Sequence, residues 1–492
     1  MVATVTPVPL LETKRGRQTL ALLCAVAFLD FVDASIVNVA LPSIRADLGF
    51  SVQSLQWVLS GYLLTYGGLM LLGGRAADLF GRRRVLVAGT AVFAAASLSA
   101  GLSPDDGLLV ASRLVQGCGA AMMIPSALSI LTTTFSDPVD RNKALGTWGA
   151  VAGLASAVGV FLGGVLTDAL DWRWVFFVNL PVSLVVLRAI YRLIPADGPR
   201  RRDAGVDVGG ALLVTTGMLL LVYTIIKAPD VGWSAAKTVG GLAGAAAILG
   251  LFAVYELRQR DPLFPFSILK IKGLVAADVT QVVAMAGFYS VFFFITLYMQ
   301  NVLEFSQIGA GAAYLPTTFG VAISAGIATQ VMGRTGTRPV IVVGATLGAG
   351  AIFWLSRIPV DGSYATDLLP PLVILALGLG AVFVGVTTAA QAGVPADKAG
   401  LAAAMINSST WLGGALGIAI FSAIATSRAR DLLADHATPA EALTSGFQRA
   451  LLAAAIFLAA AAVIALRATN TRGEQEATRD CPPSARAAES AA

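Results

Sequence analysis

Two aspartates, Asp30 and Asp33, sit inside an apolar run from Thr19 to Leu41 that is long enough to cross a bilayer. An ionised Asp at the middle of a spanning helix costs roughly 2.5 to 3.5 kcal/mol on insertion scales, so a carboxylate kept there is a candidate for ion or proton handling. Three residues apart on a helix, the two side chains share a face and can titrate as a coupled pair. The other use of such an acid is a hydrogen bond to a neighbouring helix, and residue type alone leaves both uses open. Arg113 is a second charge near the start of a later apolar run. Unpaired it would be costly, so it is expected to face Asp33 or Asp30 or to bond a backbone carbonyl.

These charges have to be held in a membrane. Of 492 residues, 56% are hydrophobic and 13% charged, against about 25% charged in soluble domains. Hydropathy gives about fourteen spans, near 19–41, 55–74, 85–102, 107–132, 143–167, 173–194, 208–227, 238–256, 274–300, 309–331, 338–357, 367–392, 401–424 and 449–468. An even count puts both termini on one side. The N-terminal tail and alternate loops collect most of the basic residues, among them Lys14, Arg15, Arg17, Arg82, Arg83, Arg84, Arg200, Arg201, Arg202, Arg258, Lys270 and Arg338, and the positive-inside rule makes that side cytoplasmic. The net charge of +5 then reflects topology, and no nucleic-acid partner is expected. Residues 1–18 lack the plan of a signal peptide, so the first span is expected to stay as an anchor in the plasma (inner) membrane.

Several chemistries are excluded. No G-x-x-x-x-G-K-[ST] sequence occurs, so ATP is not expected to drive the protein directly. Cys24, Cys118 and Cys481 fit no metal spacing, and neither a disulfide, a metal nor a cofactor is expected. No nucleophile constellation suggests an enzyme. His436, the single histidine, falls in an outer loop, so if protons move, carboxylates carry them.

The chain also repeats itself. Gly81-Arg82-Arg83-Arg84-Val85-Leu86 with Gly89 follows the second span, and Gly336-Thr337-Arg338-Pro339-Val340-Ile341 with Gly344 follows the tenth. Glycine, arginine, an apolar pair and a second glycine recur at the same offsets. Two homologous six-span halves with two inserted spans account for this, and substrate sites in such folds lie near the midplane between the halves.

Gly74-Arg75-Ala76-Ala77-Asp78-Leu79-Phe80-Gly81-Arg82-Arg83-Arg84 resembles the signature loop of the major facilitator superfamily, G-x-L-A-D-R-x-G-R-R. Asp33-Ala34-Ser35-Ile36-Val37-Asn38-Val39-Ala40-Leu41-Pro42 resembles the D-x-T-I-V-N-V-A-L-P of its fourteen-span drug:proton antiporter family, the EmrB/QacA group. Arg113 through Gly117, Trp172 through Phe176 with Asn179 and Pro181, Gly232-Trp233, Glu256, Leu297 through Gln300 and Gly413 through Gly417 extend the likeness over nearly the whole chain. The resemblance implies that Arg113 tunes proton binding at the first-span acid, which is ionised while paired and able to take a proton when released. It also implies that Asp78, with Gly74, Gly81, Arg82 and Arg83, forms a latch closing the cytoplasmic side. Asp78 would there meet the N-terminal end of a helix from the other half. Gly153, Gly159, Gly163 and Gly164 of span five resemble the antiporter motif G-P-x-x-G-G, with Val160 in place of its proline, and form a small-residue face for close helix approach.

For substrate, span nine is the most suggestive. Phe288, Tyr289, Phe292, Phe293, Phe294 and Tyr298 cluster there, with Asp278 near the cytoplasmic entrance. Aromatic walls with a few acids suit lipophilic or cationic organic molecules, although most aromatics at helical spacing are packing residues. Tyr62, Tyr66, Trp148, Asn407 and Trp411 are candidates on the same logic. Glu304 stands where the family often has glycine, and Thr438-Pro439-Ala440-Glu441 has a helix-start pattern, read as a short surface helix.

The expected architecture is an all-α integral membrane protein of the major facilitator fold. Its parts are a cytoplasmic tail (1–18), a six-helix bundle (19–200), two inserted helices (201–262), a second six-helix bundle (263–468) and a disordered cytoplasmic tail (469–492). The expected function is a proton-coupled antiporter, sufficient as a monomer, exporting hydrophobic or cationic small molecules such as antibiotics. A proton symporter or uniporter importing a metabolite, or a non-transporting sensor on the same fold, is the alternative.

Overall fold

A computed structural model of the chain describes residues 10–135, 137–197, 207–259, 262, 264, 266–271, 273–392, 394 and 399–472, without the side chains of 52, 53, 138, 139, 142, 152, 153, 157, 267, 399 and 400. Among these residues, fourteen helices are long and apolar enough to cross a membrane. They are α1 (Lys14–Leu48), α2 (Trp57–Phe80), α3 (Arg82–Gly101), α4 (Asp106–Thr134), α5 (Lys143–Ala169), α6 (Trp174–Leu193), α7 (Val208–Val231), α8 (Ala236–Arg258), α9 (Leu274–Asn301), α10 (Gln307–Thr335), α11 (Thr337–Leu355), α12 (Tyr364–Gln391), α13 (Leu401–Ala434) and α14 (Pro439–Ala465). The expected all-helical fold of fourteen spans is the one observed.

Local chemistry sets the helix ends. Thr13 caps α1 by accepting from the Gly16 N–H, and Gly49, at φ 69°, ends it with an N–H donated to the Arg45 carbonyl. Thr438 and Glu441 form a capping box with Pro439 in the first turn. That box opens α14 itself, so the expected short surface helix at 438–441 is the first turn of the last span. Nothing between Pro439 and the apolar run breaks the helix.

Within the first six spans, α1 packs on α5, α4 on α2 and α3, and α6 on α3 and α1. Within the last six, α9 packs on α13 and α14, and α12 on α10 and α11. The α7–α8 pair leans on α2 and α13 through α7. The seam between the two sets is made by α2 against α13 and α5 against α10. Its close contacts lie at mid-height and at the end away from Arg82–Arg84. A Cβ on Gly67 would meet Leu412 N at 3.2 Å, and one on Gly164 would meet the Gln307 carbonyl oxygen at 2.5 Å. Gln300 Nε2 donates to the Val39 carbonyl at 2.9 Å, and Gln307 Nε2 to Ser43 Oγ at 3.1 Å.

The internal repeat is visible in three dimensions. Gly81 (φ 104°) and Gly336 (φ 90°) both take backbone conformations that L side chains avoid, and each joins two spans. After each glycine a helix begins with orphan N–H groups, and a polar side chain from the end of the same half accepts them. Asp197 accepts from Arg83 N and Arg84 N, each at 3.0 Å. Asn470 accepts from Arg338 N at 3.0 Å. Thr337 N also donates to the Thr471 carbonyl at 2.9 Å and Thr337 Oγ1 to the Thr469 carbonyl at 2.6 Å. The start of the expected disordered tail is therefore seated on α11, because the helix N-terminus needs acceptors; residues 473–492 lie outside the described residues.

Candidate functional site

Asp33 and Arg113 are fully buried and form an ion pair of 2.7 Å between Oδ2 and Nη1. A buried pair is tolerated only when its remaining donors and acceptors are also met. Gln116 Nε2 and Asn179 Nδ2 each donate to Asp33 Oδ1 at 2.7 Å. Arg113 Nη1 also donates to Gln116 Oε1 at 2.6 Å, and Arg113 Nε to the Val58 carbonyl at 2.9 Å. Both expected uses of this arginine, the acid and a backbone carbonyl, are thus made at once. Its guanidinium lies 4.2 Å from the Tyr62 ring centroid, a cation–π distance. Ser97 closes the cluster by accepting from Gln116 Nε2 at 2.9 Å.

Asp30, also fully buried, belongs to a different group. Its Oδ1 accepts from Tyr62 OH at 2.9 Å and its Oδ2 from Tyr66 OH at 2.8 Å. The acids share α1, as their spacing requires, but each has its own donors. Tyr62 and Tyr66, expected in the substrate wall, act here first as hydrogen-bond partners of Asp30. Tyr66 also stacks on Trp411 across the seam, with ring centroids 4.5 Å apart. Tyr289 and Phe31 approach Trp411 at 6.0 and 6.4 Å. Trp411 is therefore where aromatics of both halves meet.

Other expected members of the substrate wall lie elsewhere. Phe288 is buried inside the second half, against Gly348 of α11, and does not face the seam. The aromatics of α9 follow one another too closely to share one face of a helix. Phe292 turns to Tyr314 of α10, with ring centroids 5.4 Å apart, and Phe294 to Phe447 of α14 at 5.7 Å. Asn407 donates to the Ala403 carbonyl of its own helix. Trp148 is half-buried against the hydrophobic core. Asp278 accepts from Ser409 Oγ of α13 at 3.0 Å, beside a Gln281 to Thr410 bond of 2.7 Å, so it joins two helices of one half.

Asp78 is exposed and pairs with Arg82 at 3.6 Å. The expected contact with a helix N-terminus of the other half is not made in this structure; the carboxylate on the α3 N-terminus is Asp197 of the same half. Gly74, at the same end, leaves its neighbour Pro125 at an ordinary 3.6 Å from where a Cβ would stand. Arg83 Nη2 donates to the Tyr191 carbonyl at 3.3 Å.

The glycine face of α5 divides in two. Gly159 and Gly163 pack on Val32, Ser35 and Ile36 of α1, whereas Gly164 packs on Gln307 and Ile308 across the seam. The surroundings of Gly153 lie outside the described residues. At the far end, Asp47 accepts from Trp172 Nε1 at 3.0 Å and pairs with Arg173 at 2.9 Å, which ties the end of α1 to the Trp172–Phe176 turn. Asn179 and Ser97 were the members of the Asp33 cluster that sequence did not single out by role. The signal for Asn179 was a carboxamide in an apolar span; Ser97 had none. Among the described residues, no group of three or more His, Cys, Asp or Glu is placed to hold a metal ion.

Solved structures share this arrangement. A bacterial homologue of the human lysosomal transporter Spinster, in an inward-facing and occupied conformation, superposes with a TM-score of 0.65 at 15% identity, covering 92% of this chain and 97% of that one. An auto-inhibited POT family peptide transporter gives 0.65 at 14%, covering 91% and 97%. Such identities speak for the fold alone. Sequence relatives are much nearer. Puromycin resistance protein pur8 of Streptomyces alboniger is 39% identical over 87% of this chain and 85% of its own length. Cephamycin export protein CmcT of Amycolatopsis lactamdurans is 36% identical over 92% of each. Multidrug resistance protein Stp of Mycobacterium tuberculosis is 30% identical over 81% and 73%. The model of the Major Facilitator Superfamily matches residues 23–418. This chain, a multi-pass membrane protein, belongs to the Major Facilitator Superfamily, a family of transporters rather than enzymes, and to the fourteen-span drug-export group that its motifs resemble.

Proposed function

We propose that this protein exports hydrophobic or cationic small molecules, antibiotics among them, in exchange for protons. The observation that carries the reading is the Asp33–Arg113 pair: a buried acid whose charge is held by one releasable cation, set beside an aromatic seam. While paired with Arg113, Asp33 is kept as the carboxylate. When the guanidinium moves away, Gln116 and Asn179 remain as neutral donors, and the acid is free to take up a proton. Asp30 is the second acid, and its tyrosines link it to the aromatic group around Trp411, where a flat or cationic substrate would bind by area burial and cation–π attraction. Relatives named for puromycin resistance, cephamycin export and multidrug resistance support this substrate class.

The arginine-rich end faces the cytoplasm of the plasma (inner) membrane, with both termini there, and a monomer suffices. The seam makes close contacts at the opposite end, so the conformer described is closed on the outer side. Rocking of the halves would bring the arginine-rich ends together, and Asp78 with Gly74, Gly81, Arg82 and Arg83 would then act as the latch. The two bundles and the inserted α7–α8 pair are the units that move.

The test is the purified protein in liposomes holding a trapped pH dye, with no imposed gradient, challenged with lipophilic cations and antibiotics. Proton movement opposite to substrate, lost in Asp33→Asn, is expected. Substrate uptake with no pH response would overturn proton coupling and leave uniport or another coupling ion, with Val160 the first position to look at.

A further inference from the structure

Between the halves lies a small cavity, walled by Asn38, Tyr62 and Arg113 of the first half and Tyr289 and Ile418 of the second. Its volume open to a water-sized sphere is about 10 Å³, close to what one water or one hydroxyl group needs. Two of the residues that wall it carry a buried polar atom without a hydrogen-bond partner among the described residues. Arg113 spends Nε on Val58 and Nη1 on Asp33 and Gln116, and its Nη2 is buried without a hydrogen-bond partner among the described residues. Asn38 Oδ1 is buried and unpartnered in the same way. Leaving such atoms unsatisfied is destabilising, more so for a charged group.

The two atoms are complementary to one chemical group. Arg113 Nη2 can only donate, and Asn38 Oδ1 can only accept. A carbonyl would satisfy the arginine and not the asparagine, and an ammonium would satisfy the asparagine and be repelled by the arginine. A hydroxyl satisfies both, its oxygen accepting from Nη2 and its hydrogen donated to Oδ1.

We propose that Asn38 and Arg113 form a one-hydroxyl site on the seam, taking a water or a substrate hydroxyl, and that its occupant draws the guanidinium away from Asp33. Asn38 is then a positioning residue for proton exchange: it acts through Arg113 and holds the group that competes with Asp33 for the guanidinium. The site reaches both halves, so rocking opens or closes it. The proposal rests on the reading of Asp33 as proton carrier.

The experiment uses the full-length protein in detergent and measures, over a pH series, probe affinity and proton release per probe bound. The probes are tetraphenylphosphonium, which has no hydroxyl, and puromycin, which has two. If water is the occupant, Asn38→Leu changes proton release at least fivefold for both probes, and Asn38→Ser, which retains an acceptor, restores it. If a substrate hydroxyl is the occupant, Asn38→Leu weakens puromycin at least fivefold and leaves tetraphenylphosphonium binding as in the wild type. Unchanged release and affinity for both probes in Asn38→Leu would overturn the site. Should Asn38→Leu fail to fold, Asn38→Ala against Asn38→Ser reads the same difference. Asp33→Asn is run beside them: release that persists there refutes the proton-carrier reading, while the hydroxyl site is still judged from the puromycin and tetraphenylphosphonium affinities of the Asn38 variants.

Discussion

Gly159 and Gly164 lie on one helix, yet the same substitution at each is expected to do different things. A Cβ at 164 would stand 2.5 Å from the Gln307 carbonyl oxygen and 3.0 Å from Ile308 Cα, both backbone atoms of the other half. An ordinary carbon–oxygen contact needs about 3.4 Å, so α5 and α10 must part by about 0.9 Å; overpacking of this kind costs roughly 1–3 kcal/mol. Moving the halves apart at that end relieves the whole strain, so Gly164→Ala should shift the population from the conformer described toward its opposite by about 5- to 150-fold. At 159 the Cβ would stand 2.8 Å from the Val32 carbonyl oxygen, within the same half. Rocking cannot relieve that contact, so Gly159→Ala should lower thermal stability and leave the equilibrium unchanged. Spin labels at Arg84→Cys and Thr335→Cys, exposed at the arginine-rich end of each half, report the distance by pulsed electron resonance in a background without Cys24, Cys118 and Cys481. Gly164→Ala should shorten the distance distribution and Gly159→Ala should not. Equal shifts in both, or none at 164, would refute the assignment of Gly164 to the moving seam.

Three further outcomes are expected. Arg113→Gln strands a buried carboxylate and should cost about 3–5 kcal/mol; in an Asp33→Asn background the loss should be less than half, and equal losses in thermal unfolding would deny the coupling. Glu304 has a φ of 55°, a conformation that costs an L residue about 1–2 kcal/mol. Part of that is offset because glycine has more freedom when unfolded, so Glu304→Gly should stabilise by about 0.5–1 kcal/mol without altering transport; a lower melting temperature would show that the side chain matters. Asp197→Leu removes the acceptor of two N–H groups and should cost about 0.5–2 kcal/mol, read as faster amide exchange in the first turn of α3. Asp197→Asn should retain protection at one of the two N–H groups, since an amide has a single acceptor oxygen, as Asn470 offers to Arg338 N in the second half.

The spans were legible because bilayer crossing demands length and hydropathy, and both are one-dimensional properties. The pairing of Asp33 with Arg113 was legible for a related reason: a buried charge must find its opposite, and there were few to choose from. Less could be read wherever the deciding quantity was the rotation of a helix. Phe288 and Tyr289 are adjacent in sequence and look alike, but one is sealed within the second half and the other faces the seam. Asn179 comes to Asp33, and Ser97 to Gln116 and Asn179 beside it, from spans far apart in sequence, with no local pattern to join them. The Glu304 position was puzzling as sequence and is simple as backbone, since a left-handed φ accounts for the glycine common there in the family. At Thr438 the capping chemistry was read correctly but the helix it opens was misjudged, because a cap marks a start and not a length.

The two halves share backbone devices and differ in charge. Gly81 and Gly336 turn the chain alike, and Asp197 and Asn470 receive the following helix alike. By the repeat, α1 corresponds to α9 and α4 to α12. The α9 helix has its own polar pair, Asp278 and Gln281, at the same spacing as Asp30 and Asp33. The α12 helix offers them no counterpart of Arg113, because Leu369–Gln391 contains no charged residue, and Asp278 Oδ2 is left buried without a partner among the described residues. Among the described residues, a fully buried acid paired with a cation is therefore found in the first half only. The second half brings Trp411 and Tyr289 to the seam instead. Coupling between the two needs a side chain that touches both, and Tyr66 does: its hydroxyl holds Asp30 and its ring lies on Trp411. A ligand that inserts against Trp411 must move that ring, and moving the ring withdraws a donor from Asp30. On this geometry Tyr66→Phe separates the two events, keeping the stacked surface while removing the bond to the acid.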